Sequence, residues 1–429
     1  MGKGITRRIF KGDRVVWTIF FILCALSLIE VFSATSRQTY GSGNYWQPIT
    51  KHALFLIAGV GVVWFIHNLK IEWIKLFTKL VYLSGVIFLI YALVGGDRVN
   101  DSARWVTLLG VRFQPLEIAK MGLVMMTALV LAKAQTKDGT FLSLTSAMSL
   151  INLRPQNENN IKDYTMMTII AISIIPCGLI FLENLSTVVI VGATLLMMMF
   201  IGQVNKWHML TLIGSAVVAG GLCLTLIMAT PESAKDGNSF QRKMLTWKHR
   251  LVDVSGADKN MTPEQFYKHS LREGNEQKMY SKLAIGTSGL FGKGPGNSVQ
   301  RDFIPHAYSD FIYSIIVEEL GWIGGVAVLL LYLTLLYRSG KIASKCEEPY
   351  PAFLVMGVAI LITMQAMMHM HISVGDFVTG QPLPLVSQGG TSILINCVYI
   401  GIILSVSRYV KRFNKEESNE NITNTPVAE

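Results

Sequence analysis

Three carboxylates stand where a charge is costly. In "IPHAYSDFIYSIIVEELGWIGG", residues 304 to 325, Asp310 opens an apolar helical stretch, and Glu318 and Glu319 follow about two turns later. Burying an unpaired charge costs several kcal/mol, so each acid needs a partner or a function. Further acids, Asp253, Asp258 and Glu276, lie in a segment rich in Lys and Arg, Arg250 among them, and interleaved with Trp247, Phe266 and Tyr267. A carboxylate can take the proton of a hydroxyl. Basic groups beside aromatics can hold an anionic headgroup or a pyrophosphate. A solvated loop is the plainer reading of the same residues.

Three other stretches carry polar groups that a membrane anchor would not need. In "DSARWVTLLGVRFQPLEIAKMG", residues 101 to 122, Arg104 and Trp105 fall in a loop before a helix that starts near Pro115. Glu117 and Lys120 follow at i, i+3 and share one helix face, either as a self-satisfied ion pair or as the wall of a polar cavity. "AIGTSGLFGKGPGNSVQ", residues 284 to 300, is glycine-rich and includes Lys293, but no Gly-Lys is followed by Ser or Thr, so it is not a nucleotide-binding P-loop. It reads as backbone that bends near a membrane surface. "GDFVTGQPLPLVSQGGTS", residues 375 to 392, reads as re-entrant backbone whose Ser387 and Gln388 donate hydrogen bonds into a cavity. His306 is open to both a structural and a ligand-binding reading.

These groups need a frame. Of 429 residues, 51% are hydrophobic and only 15% charged, well short of the quarter or so usual in soluble proteins. Apolar stretches able to cross about 30 Å of hydrocarbon recur near 15–34, 52–68, 74–94, 115–133, 165–182, 186–203, 208–229, 308–336, 351–373 and 388–409. The expected fold is therefore an all-α, polytopic membrane protein of about ten transmembrane helices. Residues 1–14 form a basic tail, 15–409 the membrane domain, and 410–429 a polar, disordered tail. The first apolar run continues through roughly twenty residues to "FSATSRQTYGSGNYW" with further spans following, so it reads as a retained helix rather than a cleaved signal. With the N-terminus inside, the inner segments hold about twenty of the 38 Lys and Arg and the four short outer loops about five. Both termini are then cytoplasmic, and the long loop 230–307 lies outside, away from nucleic acid. The five cysteines share no ligand-like spacing and read as small hydrophobes.

Taken together, Arg104-Trp105 with "QPLEIAK", "ENLSTVVIVG", "AIGTSGLFGKGPGNSVQRDFIPHAYSDFIYSIIVEELGWIG" and "TGQPLPLVSQGGTS" resemble the SEDS family of bacterial wall-synthesis proteins over the whole ten-span region. The last block is more like the division-type than the elongation-type members. The resemblance implies a peptidoglycan glycosyltransferase that polymerises lipid II, with undecaprenyl pyrophosphate as leaving group, beside a class B penicillin-binding protein and other division proteins. It implies a general base in the long outer loop, usually an Asp in a "DP" context before "GYQ". Here "GNEQ", ending at Gln277, stands in that place without the "DP"; counting from Arg250 suggests Asp258, with Asp253 second. Arg104, Glu117, Lys120 and Asp310 match without gaps, whereas Asn184 stands where the family usually has an Asp. No cofactor is implied with certainty; a divalent cation, Mg or Mn, stays open.

On this reading Asp310 sits at the outer mouth of a central cavity. Glu318 and Glu319 lie roughly 12 Å deeper along the same helix, as hydrogen-bonding groups between helices. Two rivals use the same residues: a flippase for lipid-linked precursors and a non-catalytic division scaffold. Polar residues concentrated on the outer half favour the enzyme.

Overall fold

In hydrocarbon every backbone N–H and C=O must find a partner within its own segment, so apolar runs of this length fold as helices. The computed structural model describes residues 10–35, 46–99, 102–108, 111–135, 158–231, 241–242, 244–245, 247–248, 275–304, 306–374 and 380–423. Among these, the helices are α1 (Arg14–Ala34), α2 (Gln47–Asn68), α3 (Ile71–Gly95), α4 (Pro115–Gln135), α5 (Glu158–Glu183), α6 (Leu185–Ile201), α7 (Lys206–Met228), α8 (Asn275–Gly286), α9 (Ile312–Ala343), α10 (Pro349–Val374) and α11 (Thr391–Thr423). Nine are long and apolar enough to cross a membrane, and α6 adds a shorter apolar helix of 17 residues, so each expected span contains a helix. The protein is a multi-pass membrane protein.

Local chemistry sets several boundaries. The Asp13 carboxylate caps α1 by accepting from the N–H groups of Val15 and Val16 at 2.8 and 3.2 Å. Pro115 opens α4, where its missing N–H costs nothing. The break between α5 and α6 is a single extended residue, Asn184 (φ −154°, ψ 102°). Past the bilayer, α11 runs on to Thr423, so the first part of the expected disordered tail is helical; its Lys, Arg and Glu are good helix formers.

The chain is not purely helical. Between α3 and α4, where a loop is expected, three short strands form an antiparallel sheet in the order β1 (Asp97–Val99), β2 (Ser102–Leu108), β3 (Val111–Phe113). Its register pairs Asp97 with Trp105, and Val106 with Phe113. Alternation in "ARWVTL" is too short to separate a strand from a loop in the sequence.

Helix α4 is buried on nearly every side, α10 and α11 on most, and α7 turns almost all of its apolar residues outward. In water such a face would be a liability, whereas on a membrane-spanning helix it suits lipid tails. Trp64, Trp73 and Trp207 are exposed near helix ends, at the level where amphipathic rings anchor to the interface. All five cysteines are free thiols.

The main departure from the expected span at 308–336 is a turn inside α9. Gly321 has φ 72°, ψ −175°, and the chain doubles back there. A Cβ on Gly325 would lie 2.8 Å from Val317 Cγ2 and 3.0 Å from Tyr313 Oη, whereas in a straight helix residues 313 and 325 stand about 18 Å apart. Residues 312–319 form a wholly buried first arm, and 322–343 make a second arm about 33 Å long, enough to cross the bilayer. The turn is crossed by the loop after α8: Trp322 and Ile323 donate their N–H groups to the carbonyls of Gly289 and Leu290. A Cβ on Gly321 would overlap Leu290 O, and one on Gly292 would overlap Glu319 O. Gly321→Ala is therefore expected to cost roughly 2 kcal/mol or more, from the left-handed φ plus the overlap. Gly178→Ala, where the added methyl meets open space, should be neutral or stabilising. Thermal unfolding in detergent compares the two.

Candidate functional site

The turn of α9 explains two of the three carboxylates. Glu318 is fully buried and accepts from Lys293 Nζ at 2.5 Å, from the Ser298 hydroxyl, and from the N–H groups of Val299 and Gln300 at 3.2 and 3.3 Å. Glu319, also fully buried, accepts from the N–H groups of Gly296 and Ser298 at 2.7 and 3.2 Å and from the Ser33 hydroxyl. Arg301 lies 3.8 Å from Glu319 and bonds Ser33 at 2.6 Å. The backbone N–H groups and the Lys293 ammonium can only donate to these carboxyls, while a third buried acid, Glu30 of α1, lies within electrostatic range of Glu319. The glycine-rich stretch is thus draped over a pair of carboxylates, and Lys293, expected to bind substrate, is engaged by Glu318.

These contacts also reverse the expected depth. Glu319 touches Ser33, the penultimate residue of α1, at the C-terminal end of that helix. Asp310 follows Tyr308 and Ser309, whose carbonyls accept from Gln388 N at 3.0 Å and Ser387 Oγ at 2.7 Å. The neighbouring Val386 carbonyl accepts from Ser27, seven residues and about 10 Å along α1 from its C-terminal end. The loop 380–390 therefore dips into the bundle and carries the Asp310 segment with it. Asp310 lies farther from the C-terminal end of α1 than Glu318 and Glu319, because the first arm of α9 runs back toward that end.

Around Asp310 the groups are polar. Its carboxylate is half-buried and accepts from Ser309 Oγ at 2.8 Å. His306 is exposed, sits at φ 58°, and bonds Tyr308 OH at 2.9 Å. Ser387 does not point into a cavity: its hydroxyl donates to the Ser309 carbonyl and accepts from Leu383 N at 2.7 Å, holding the re-entrant loop together. Gln388 keeps a buried Oε1 with no partner among the described residues.

A second group was not evident as a site in the sequence. His369 of α10 lies within electrostatic range of Asp310 and bonds the Gln381 carbonyl at 2.6 Å through Nδ1. The Gln381 amide donates to Thr187 of α6 at 2.5 Å, joining the re-entrant loop to two helices. His369 Nε2 and both amide atoms of Gln365, one turn earlier on α10, are buried without a partner among the described residues. Such atoms mark a place for water or a ligand. The available signal was polarity inside an apolar span, in "MQAMMHMH".

Glu117 and Lys120 form the expected pair at 2.7 Å, with both side chains about 1% exposed. It lies within the bundle rather than at an interface with water, and Glu117 Oε2 has no partner among the described residues. On the three-stranded sheet, the Arg112 guanidinium stacks 5.0 Å over the Trp105 ring, which gives Trp105 a structural partner. Arg104 lies on the backbone of β2; its side chain is outside the described residues. Gln277 lies half-buried in the first turn of α8. Asn184 accepts from Ser186 Oγ at 2.6 Å and serves the α5–α6 junction. Asp253, Asp258 and Arg250 lie outside the described residues. Among the described residues no three His, Cys, Asp or Glu side chains cluster to hold a metal ion.

The described residues thus give a layer in which Lys293 and Arg301 face Glu318 and Glu319, above a polar interior around Asp310, His369 and Gln365 that keeps unpartnered buried atoms. Residues 13–412 match the family described as "Cell cycle protein", FTSW_RODA_SPOVE. Similar curated proteins are named "Probable peptidoglycan glycosyltransferase FtsW": that of Coxiella burnetii is 27% identical, covering 92% of this chain and 98% of its own. That of Halomonas elongata is 28% identical over 92% and 90%. Among solved structures, a chain of a peptidoglycan synthase complex that coordinates polymerization and crosslinking superposes with TM-score 0.62 at 21% identity, over 93% of this chain and 98% of that one. The rod shape determining protein RodA of Thermus thermophilus superposes with TM-score 0.56 at 20% identity, over 92% and 97%. At these identities the structures speak for the fold alone.

Proposed function

The chain belongs to the FtsW/RodA/SpoVE family of cell cycle proteins, and on that premise we propose that it is a peptidoglycan glycosyltransferase that polymerises lipid II during septal wall synthesis. The match over residues 13–412 carries this reading, together with relatives named for that activity that align along nearly their whole length. The reaction needs a base for the acceptor sugar hydroxyl and cations for the departing undecaprenyl pyrophosphate. It also needs two lipid tails held in the bilayer while their headgroups meet outside it. Asp258, or Asp253, takes the hydroxyl proton. Arg104, Arg250 and Lys120 offset the pyrophosphate charge, and Asp310 with Gln388 orients sugar hydroxyls. Both termini are cytoplasmic, the protein works at the division septum, and a class B penicillin-binding protein is its crosslinking partner.

The test is polymerisation of lipid II by the purified protein with that partner, comparing wild type with Asp258→Asn and Asp253→Asn. General-base catalysis contributes about 10²–10⁴-fold, so the variant that lacks the base should fall by at least that lower figure while its melting temperature holds. Full activity in both variants would remove both assignments and direct attention to Glu276. A wild type that makes no glycan but carries lipid II across a bilayer would replace the enzyme with a flippase.

A further inference from the structure

The other end of the bundle holds a site that this reaction does not use. A cavity of about 290 Å³ opens among the N-terminus of α1, the C-terminal end of α9 and the end of the apolar stretch of α11. Its walls carry Arg14, Arg338, Lys341, Lys345 and Lys411 against one acid, Asp13. That acid is already engaged: it caps α1 and accepts from Arg338 Nη2. Lys411 donates to the Gly12 carbonyl, which ties α11 to the chain entering α1. Arg338 Nε is buried with no partner among the described residues, leaving one N–H to donate.

The surroundings select among anions. Arg14 is the first residue of α1, Lys341 lies in the last turn of α9, and Lys411 closes the apolar stretch of α11. Three spans thus end around the cavity, which puts it at headgroup level. Val15, Ile342 and Val410 line it beside the cations, an apolar side that a soluble anion would not need. The chain's own C-terminal segment leads away, because α11 continues for twelve residues, about 18 Å, beyond Lys411. We propose that this cavity binds the phosphate of an anionic lipid headgroup in the leaflet on the side of the N-terminus. The geometry is that of basic pockets between membrane helices that hold such headgroups.

Full-length protein, stripped of lipid in detergent, is titrated with phosphatidylglycerol, with phosphatidylcholine, and separately with inorganic phosphate. Bound lipid is counted by native mass spectrometry and melting temperature is recorded. Wild type should retain phosphatidylglycerol over phosphatidylcholine and melt higher with it. Lys341→Gln/Lys345→Gln should weaken that retention about 25-fold, roughly fivefold for each charge removed. Lys341→Arg/Lys345→Arg should restore it. The Gln variant must melt with wild type in phosphatidylcholine; if it does not, Lys345→Gln alone is compared, with a fivefold loss expected. Equal retention of the two lipids by wild type, or undiminished retention by the Gln variants, overturns the proposal. Stabilisation by inorganic phosphate that matches phosphatidylglycerol and disappears in the Gln variant assigns the site to soluble phosphate and also overturns it.

Discussion

Glu318→Ala is expected to release the glycine-rich loop and destabilise the protein by about 3 kcal/mol or more. The change strands the Ser298 hydroxyl and the N–H groups of Val299 and Gln300, each a buried or half-buried donor that costs about 1–3 kcal/mol when left unmade. Lys293 adds less, because its side chain is 30% exposed and can turn to water. Glu318→Gln keeps the shape and one acceptor oxygen and should fall between wild type and Ala. Hydrogen exchange of residues 296–302 reads the loop directly, and lipid II polymerisation reads its consequence, since the loop leads into the Asp310 segment. Amides at 299 and 300 that stay protected in Glu318→Ala would show that the loop holds without its carboxylate.

Lys120→Met should be equally severe for a different reason. It leaves Glu117 inside the bundle with no cation, and breaking a buried pair in this way costs about 3–5 kcal/mol. Replacing both partners by uncharged side chains removes the stranded charge, so Glu117→Leu/Lys120→Met should recover most of the melting temperature. Activity then separates two roles. A double variant that folds and stays inactive places Lys120 on the pyrophosphate. A double variant that folds and polymerises makes the pair structural and leaves the leaving group to Arg104 and the loop cations.

The spans were legible in the sequence because crossing a bilayer imposes a local rule, a run of apolar residues of sufficient length, that no distant contact can waive. For the same reason Asp310, Glu318 and Glu319 stood out, since each broke that rule. The i, i+3 spacing likewise disclosed the Glu117–Lys120 pair, because one turn of helix brings both onto one face. What those acids touch was decided elsewhere. A single positive φ at Gly321 reverses the chain, and nothing in the apolar pattern on either side changes when it does. The reversal carries Glu318 and Glu319 toward the C-terminal end of α1, where donors from Gly296 to Arg301 wait, and leaves Asp310 farther along the bundle beside the re-entrant loop. His369, Gln381 and Thr187 meet only because that loop bridges α10 and α6, residues that lie as many as 194 positions apart in the chain. Sequence alone determined which segments enter the membrane and which polar residues go with them. The tertiary structure decided how deep each one sits and which of them meet, because depth and pairing depend on where the chain turns back.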